Sequence, residues 1–163
     1  MTFKILIISC FLWGLFKTSP VEINQASVQK VYGGVQGSGI ASEYRLNVSI
    51  KKKPKKLSFS GVIINGKFIE NIKIIPQNHP QTHFNIDNQH NYLTKAEKND
   101  TVTLSFAIHQ NKGNQGNMIP PPKNDFDIPN SLKGKDLLIV QWRNKNKFIE
   151  IRNIASKEPI YMP

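Results

Sequence analysis

Residues 43–50 read EYRLNVSI. Tyr44, Leu46, Val48 and Ile50 fall on one side of an extended chain, and Arg45, Asn47 and Ser49 fall on the other. Strict alternation of this kind marks a strand with one buried face and one wet face. Upstream, Val28 to Gly33 (VQKVYG) is expected as the first strand, and GGVQGSG (33–39) joins the two. The whole stretch therefore reads as strand, glycine-rich turn, strand.

The same period recurs along the chain. Leu57 to Ile64 starts in phase with Leu57 and Phe59, then slips at Gly61, after which Val62, Ile63 and Ile64 are all apolar. A glycine at a phase slip predicts a β-bulge or a strand buried on both faces. Asn65-Gly66 follows between two apolar runs, the signature of a type I′ hairpin turn, and a return strand is expected over Lys67 to Ile75. Asp100 to His109 alternates Val102, Leu104, Phe106 and Ile108 with small polar residues. Leu137 to Val140 is apolar without a break and reads as a central strand covered on both sides, with a return over Phe148 to Ile154 after a turn at Asn144 to Lys147. Short edge strands are expected at Thr82 to Asp87 and through Ile160 and Tyr161. With no amphipathic helix in the pattern, the expected fold is all-β: a single antiparallel β-sandwich of immunoglobulin-like type with seven to eight strands, or alternatively a small barrel.

The N-terminus carries a different signal. Lys4 precedes twelve uncharged residues, Ile5 to Phe16, and Lys17 ends the run. One positive charge before an apolar stretch this short fits a secretory signal peptide better than a membrane anchor, which needs about 20 apolar residues. The expected organisation is a signal over 1–20, cut somewhere within 18–26, then one sandwich domain over 27–163. Export to the periplasm or the medium follows, with no transmembrane segment left after the signal is removed. Cys10 is the sole cysteine and sits in the signal. Ile-Ile-Ser-Cys loosely resembles a lipoprotein box, but a lipid anchor there would leave the apolar FLWGLF on the mature chain. The mature chain is expected to hold no disulfide, thiolate nucleophile or cysteine metal ligand. About 140 residues are enough for one core without such staples.

Lysine and arginine number 22 against 11 acidic residues, a formal net charge of +11. Arginine occurs only at Arg45, Arg143 and Arg152, so the fork that reads bases and clamps phosphates is scarce. The main basic cluster is Lys51, Lys52 and Lys53, Pro54, then Lys55 and Lys56. It fits an acidic polysaccharide or an anionic membrane surface, and equally a solvated turn whose lysines discourage edge pairing. With no aromatic residue in the run there is no base-stacking platform, and nucleic acid is disfavoured as a partner.

Three further patterns bear on chemistry. GGVQGSG lacks the lysine-hydroxyl pair and the following helix of a phosphate loop, because Ile40-Ala41-Ser42 and a strand come next. It reads as a turn. His79, His83 and His90, with Asp87 between them, supply the ligand types for zinc or copper, but at no familiar spacing. They are the weak metal candidates beside a reading as polar surface. No nucleophile elbow and no spaced acid–base pair stands out, so a non-enzyme without cofactor is expected. Asn47-Val48-Ser49 and Asn99-Asp100-Thr101 match the glycosylation pattern, the former inside a strand.

VYGGVQGSGIASEYRLNVSI, KNDTVTLSF and the final PIYMP together resemble a group of small secreted proteins of Bacteroidetes-type bacteria, in which a glycine-rich segment precedes a tyrosine-containing strand, here Tyr44. The resemblance carries no activity, so no residue takes a role from it. The function expected is a non-catalytic binding, interaction or envelope-associated module with a protein or glycan partner. Its contact loops are expected at Asn111 to Gly134 and, second, at Gln77 to Asn99, where loops on a rigid sandwich do the touching.

Overall fold

The structure is a computed structural model that describes residues 19–33, 40–52, 57–77, 86–87, 90–93, 98–110 and 126–162, with the backbone course alone for 86–87, 90–93 and 110. Eleven strands are present among these residues: β1 (Val21–Tyr32), β2 (Ile40–Ile50), β3 (Leu57–Ile64), β4 (Lys67–Ile69), β5 (Lys73–Pro76), β6 (Ile86–Asp87), β7 (His90–Leu93), β8 (Thr101–Gln110), β9 (Leu137–Trp142), β10 (Lys145–Glu150) and β11 (Ile154–Tyr161). They form two sheets. The first has the order β11-β1-β2-β8-β5; the second has the order β10-β9-β3-β7-β6, with β4 also paired to β3. No pairing among the described strands joins the sheets, so the architecture is a two-sheet sandwich rather than a barrel.

The alternation read in EYRLNVSI decides the packing. Tyr44, Leu46, Val48 and Ile50 are all buried, Arg45 is exposed, and Asn47 and Ser49 are half-buried. Val102, Leu104 and Phe106 on β8 continue the same face, with Tyr44 opposite Phe106 and their rings stacked at 5.1 Å. Leu57, Phe59, Val62 and Ile64 from β3 and Leu138 and Val140 from β9 meet them from the second sheet. Burying side chains of this size stabilises by about 1.5–3 kcal/mol each, which is why the period-two faces fix the fold.

Gly61 is the bulge. The β3–β9 register shifts between Phe59 and Gly61, so Phe59 pairs with Val140 and Gly61 with Ile139. A β-carbon at Gly61 would stand 2.3 Å from the Phe68 ring and 2.9 Å from the Ile69 carbonyl oxygen. Close approach of the folded-back β4 therefore requires glycine. Asn65 and Gly66 turn the chain with φ of +50° and +74°, as the hairpin reading requires. Arg143 and Asn144 do the same between β9 and β10, with φ of +52° and +60°, one residue earlier than the turn expected from sequence.

The unbroken run Leu137 to Val140 is buried on both faces. Leu138 and Val140 face the inter-sheet core, while Leu137 and Ile139, with Ile63, form a second cluster on the outer face of the second sheet. Phe126, Ile128 and Leu132 cover that cluster, together with Phe68 and Phe148. The segment 126–134, expected as part of a free contact loop, is thus a lid on the sheet. Its rings interlock: Phe126 lies 5.4 Å from Phe68 and 6.4 Å, edge-on, from Phe148.

Other boundaries also moved. The strand count exceeds seven to eight in part because Lys67 to Ile75 is not one strand, since β4 ends at Ile69 and the chain crosses to the first sheet through buried Ile72 before β5, and in part because β7 (His90–Leu93) lies where the sequence pattern predicts no strand. β1 starts at Val21, ahead of Ser27; Val21 is 0% exposed and pairs with Ile50. β11 starts at Ile154 and runs parallel to β1 from Ala26 onward. β11 is an exposed edge strand. Its pairing with β1 is irregular between Lys157 and Ile160, where Glu158 and Pro159 intervene, and charge, proline and bulge together discourage further edge pairing there.

Candidate functional site

One concavity among the described residues follows from how β11 joins the sheet. β11 borders β1 only from Ala26, so the outer edge of β1 over Val21 to Gln25 has no neighbouring strand among the described residues. The chain leaves β10 in the second sheet at Glu150 and enters β11 in the first at Ile154, and the intervening Ile151 is buried and donates its N–H to the Asp136 carbonyl at 2.8 Å. This detour leaves a groove of about 1070 Å³ between the start of β1 and β10. Ile23, Ala26, Leu132, Phe148 and Ile149 give it apolar walls, and Lys51, Lys52 and Arg152 stand among its charged lining.

The groove has a hydrogen-bonding edge. Lys51 donates its N–H to the Pro20 carbonyl, which sets the ladder phase: Glu22 faces β2, whereas Val21 and Ile23 turn their N–H and C=O outward. Ser19 caps Val21, since its Oγ donates to the Val21 carbonyl at 2.6 Å and accepts from the Val21 N–H at 3.4 Å. Ile23, just before a register shift, lies on this edge and lines the groove.

The rim is charged and internally paired. Lys51 Nζ lies 2.6 Å from Glu22. Glu150 accepts from Arg152 at 2.8 Å and pairs with Lys135 at 3.2 Å. These bonds, Arg152 first, hold the Glu150 carboxyl below its ordinary range, and the same pairing raises the Arg152 guanidinium.

Trp142 stands where the rim meets the lysine run. Lys52 Nζ lies 5.0 Å from the centroid of its ring, and the Arg143 guanidinium carbon lies 4.5 Å away. Lys145 pairs with Trp142 across the β9–β10 hairpin, and Lys147 follows two residues on. Tertiary structure thus brings to the lysines the aromatic ring that the run itself lacks. Lys52 and Trp142 are ninety positions apart in sequence, and no local pattern links them.

The remaining sequence candidates fall as follows. Lys51 and Lys52 line the groove, while Lys53, Lys55 and Lys56 lie outside the described residues. His79 and His83 also lie outside them; Asp87 and His90 face each other in the β6–β7 ladder and are described by backbone alone. His109 is exposed on β8, in the other sheet. Of the two expected contact loops, 111–125 and most of 78–97 are outside the described residues. Tyr32 ends β1 and Ile40 opens β2, and the two pair, so a strand, not a helix, follows the glycine-rich segment. Among the described residues no helix is long and apolar enough to cross a membrane. No family model, no curated protein and no solved structure matches this chain.

Proposed function

We propose that the protein is an exported, non-catalytic binding module, secreted or periplasmic, built on a sandwich of immunoglobulin-like type. It takes an extended segment of a partner protein along the open edge of β1. Export is supported by the signal-like residues 1–20, and the sandwich type by a chain that passes repeatedly between two mainly antiparallel sheets. The observation that carries the binding role is the groove beside the β1 edge at Ile23, which no strand borders among the described residues. Unpaired strand groups next to apolar walls are what β-strand addition uses: backbone bonds give affinity and the walls select side chains.

Short random peptides selected for binding to the mature protein test this. The expected winners alternate apolar and polar residues, slow hydrogen exchange at the Ile23 amide, and lose binding when Ala155→Trp fills the groove that Ala155 lines. Failure to select any peptide, or peptides that bind the Ala155→Trp protein equally well, would overturn it.

A further inference from the structure

We infer that the Trp142 corner is a second binding site, adjoining the β1 groove and sharing Lys51 and Lys52 with its rim, whose ligand is an anionic glycan bearing carboxylates or sulfates. Lys52 and Arg143 are both held against one indole, and the described ion pairs include neither of them. Their charges are no further apart than the sum of their two distances to the ring. Lys145, opposite Trp142, and Lys147, two residues on, add positive charge beside the ring, and Lys51, next to Lys52, is paired with Glu22. The ring quadrupole compensates the two cations only in part, since such contacts contribute about 0.5–1 kcal/mol at exposed sites. A chain of anions completes the compensation and gains from every cation it spans.

Three features select a glycan among polyanions. First, the large apolar side chains that are exposed, Ile75, Ile160, Tyr161 and Met162, belong to β5 and the β11 end. Among the described residues none of these adjoins Trp142, so the described part of this corner offers no exposed large apolar side chain to sink into a bilayer. Second, a single arginine among lysines lacks the paired forks that grip phosphodiesters and bases. Third, the indole faces cations rather than standing free to stack a base, which single-strand binders require. An exported protein also meets acidic polysaccharides at the cell surface and in the medium.

The geometry also fixes how to test it without unfolding the protein. Arg143 sits at φ +52°, a conformation that asparagine tolerates, so Arg143→Asn removes the charge and keeps the turn. Lys52→Gln and Lys145→Gln are surface changes, and Trp142→Phe keeps an apolar ring where Trp142 packs against the core. Lys157→Gln, on exposed β11, removes the same charge far from the corner and controls for the net charge of +11.

The mature protein and these variants are compared in salt-gradient elution from immobilised heparin and polygalacturonate, and in binding to phosphatidylglycerol vesicles and to a thymidine oligonucleotide. The expected result is retention on both glycans, with affinity lower by about three- to fivefold for each of Lys52→Gln, Arg143→Asn and Lys145→Gln at low salt. Trp142→Phe should weaken binding and Lys157→Gln should leave it unchanged. Equal losses for Lys157→Gln and the corner variants would assign retention to overall charge and overturn the site. Vesicles or oligonucleotide bound with glycans ignored would overturn the ligand class. Arg143→Asn and Lys145→Gln, at residues that do not line the groove, should leave peptide binding unchanged, so failure of the groove reading and failure of this one are told apart.

Discussion

Replacing Phe126 by alanine asks whether the segment after residue 125 is a structural lid or a free loop. Phe126 is half-buried and packs on Ile63, Leu137 and Ile139 with its ring against Phe68 and Phe148. Removal of a fully buried phenylalanine costs about 3–5 kcal/mol. Partial exposure cuts this by about half, and the two ring contacts, each of about 0.5–1.5 kcal/mol, are included in the remainder. The expected loss is about 2 kcal/mol, equivalent to a fall in Tm of about 6–8 °C for a domain of this size. Urea unfolding followed by tryptophan fluorescence reads it, with the slope unchanged if the unfolded state is unaffected. A double-mutant cycle with Phe148→Ala should return a coupling energy of about 1 kcal/mol. A loss below about 0.5 kcal/mol, as for an ordinary surface substitution, together with no coupling to Phe148, would refute the lid and return 126–134 to the loop.

A protein beginning at Ser27 should fail to fold stably, whereas one beginning at Ser19 should unfold cooperatively, because Val21, Ile23 and Ala26 belong to the core or pack on it. N-terminal sequencing of the exported protein should accordingly place the cut no later than Pro20; a mature chain starting after Ala26 would contradict the role given to β1. Glu150 predicts a pH dependence. Its folded pKa is depressed by Arg152 and Lys135, so its contribution is present above the unfolded carboxylate value, about 4.3, and is lost as pH falls through the folded value. Thermal melts should show wild type above Glu150→Gln at pH 7 and the two converging below pH 4, and a constant gap across that range would exclude the pairing as its source.

Much of the inner architecture is legible in the residues themselves. EYRLNVSI and TVTLSFAIH announce which faces are buried because side chains alternate across a strand, and a one-residue slip would put every apolar group in water. Asn65-Gly66 declares its turn because positive φ is costly for most other residues, and Gly61 its bulge because the period breaks there. These are local properties, written in a handful of neighbouring residues. That LLIV is covered on both sides could be read from its composition, but not that Phe126, Ile128 and Leu132 do the covering. A proline-rich approach and sparse apolar residues carry no period from which a lid could be inferred.

The candidate sites were least visible in sequence because they are made by what the chain does at a distance. The groove exists because β11 joins β1 at Ala26 rather than at Val21, a matter of where a C-terminal strand docks on an N-terminal one. The basic corner exists because the β2–β3 crossover and the β9–β10 hairpin end on the same indole. The sequence by itself determined the strand faces, the tight turns and an excess of lysine, since each depends on a residue and its immediate neighbours. Tertiary structure alone decided which edge stays open, which segment becomes a lid and which aromatic ring the lysines meet, because those depend on long-range packing that no local period encodes.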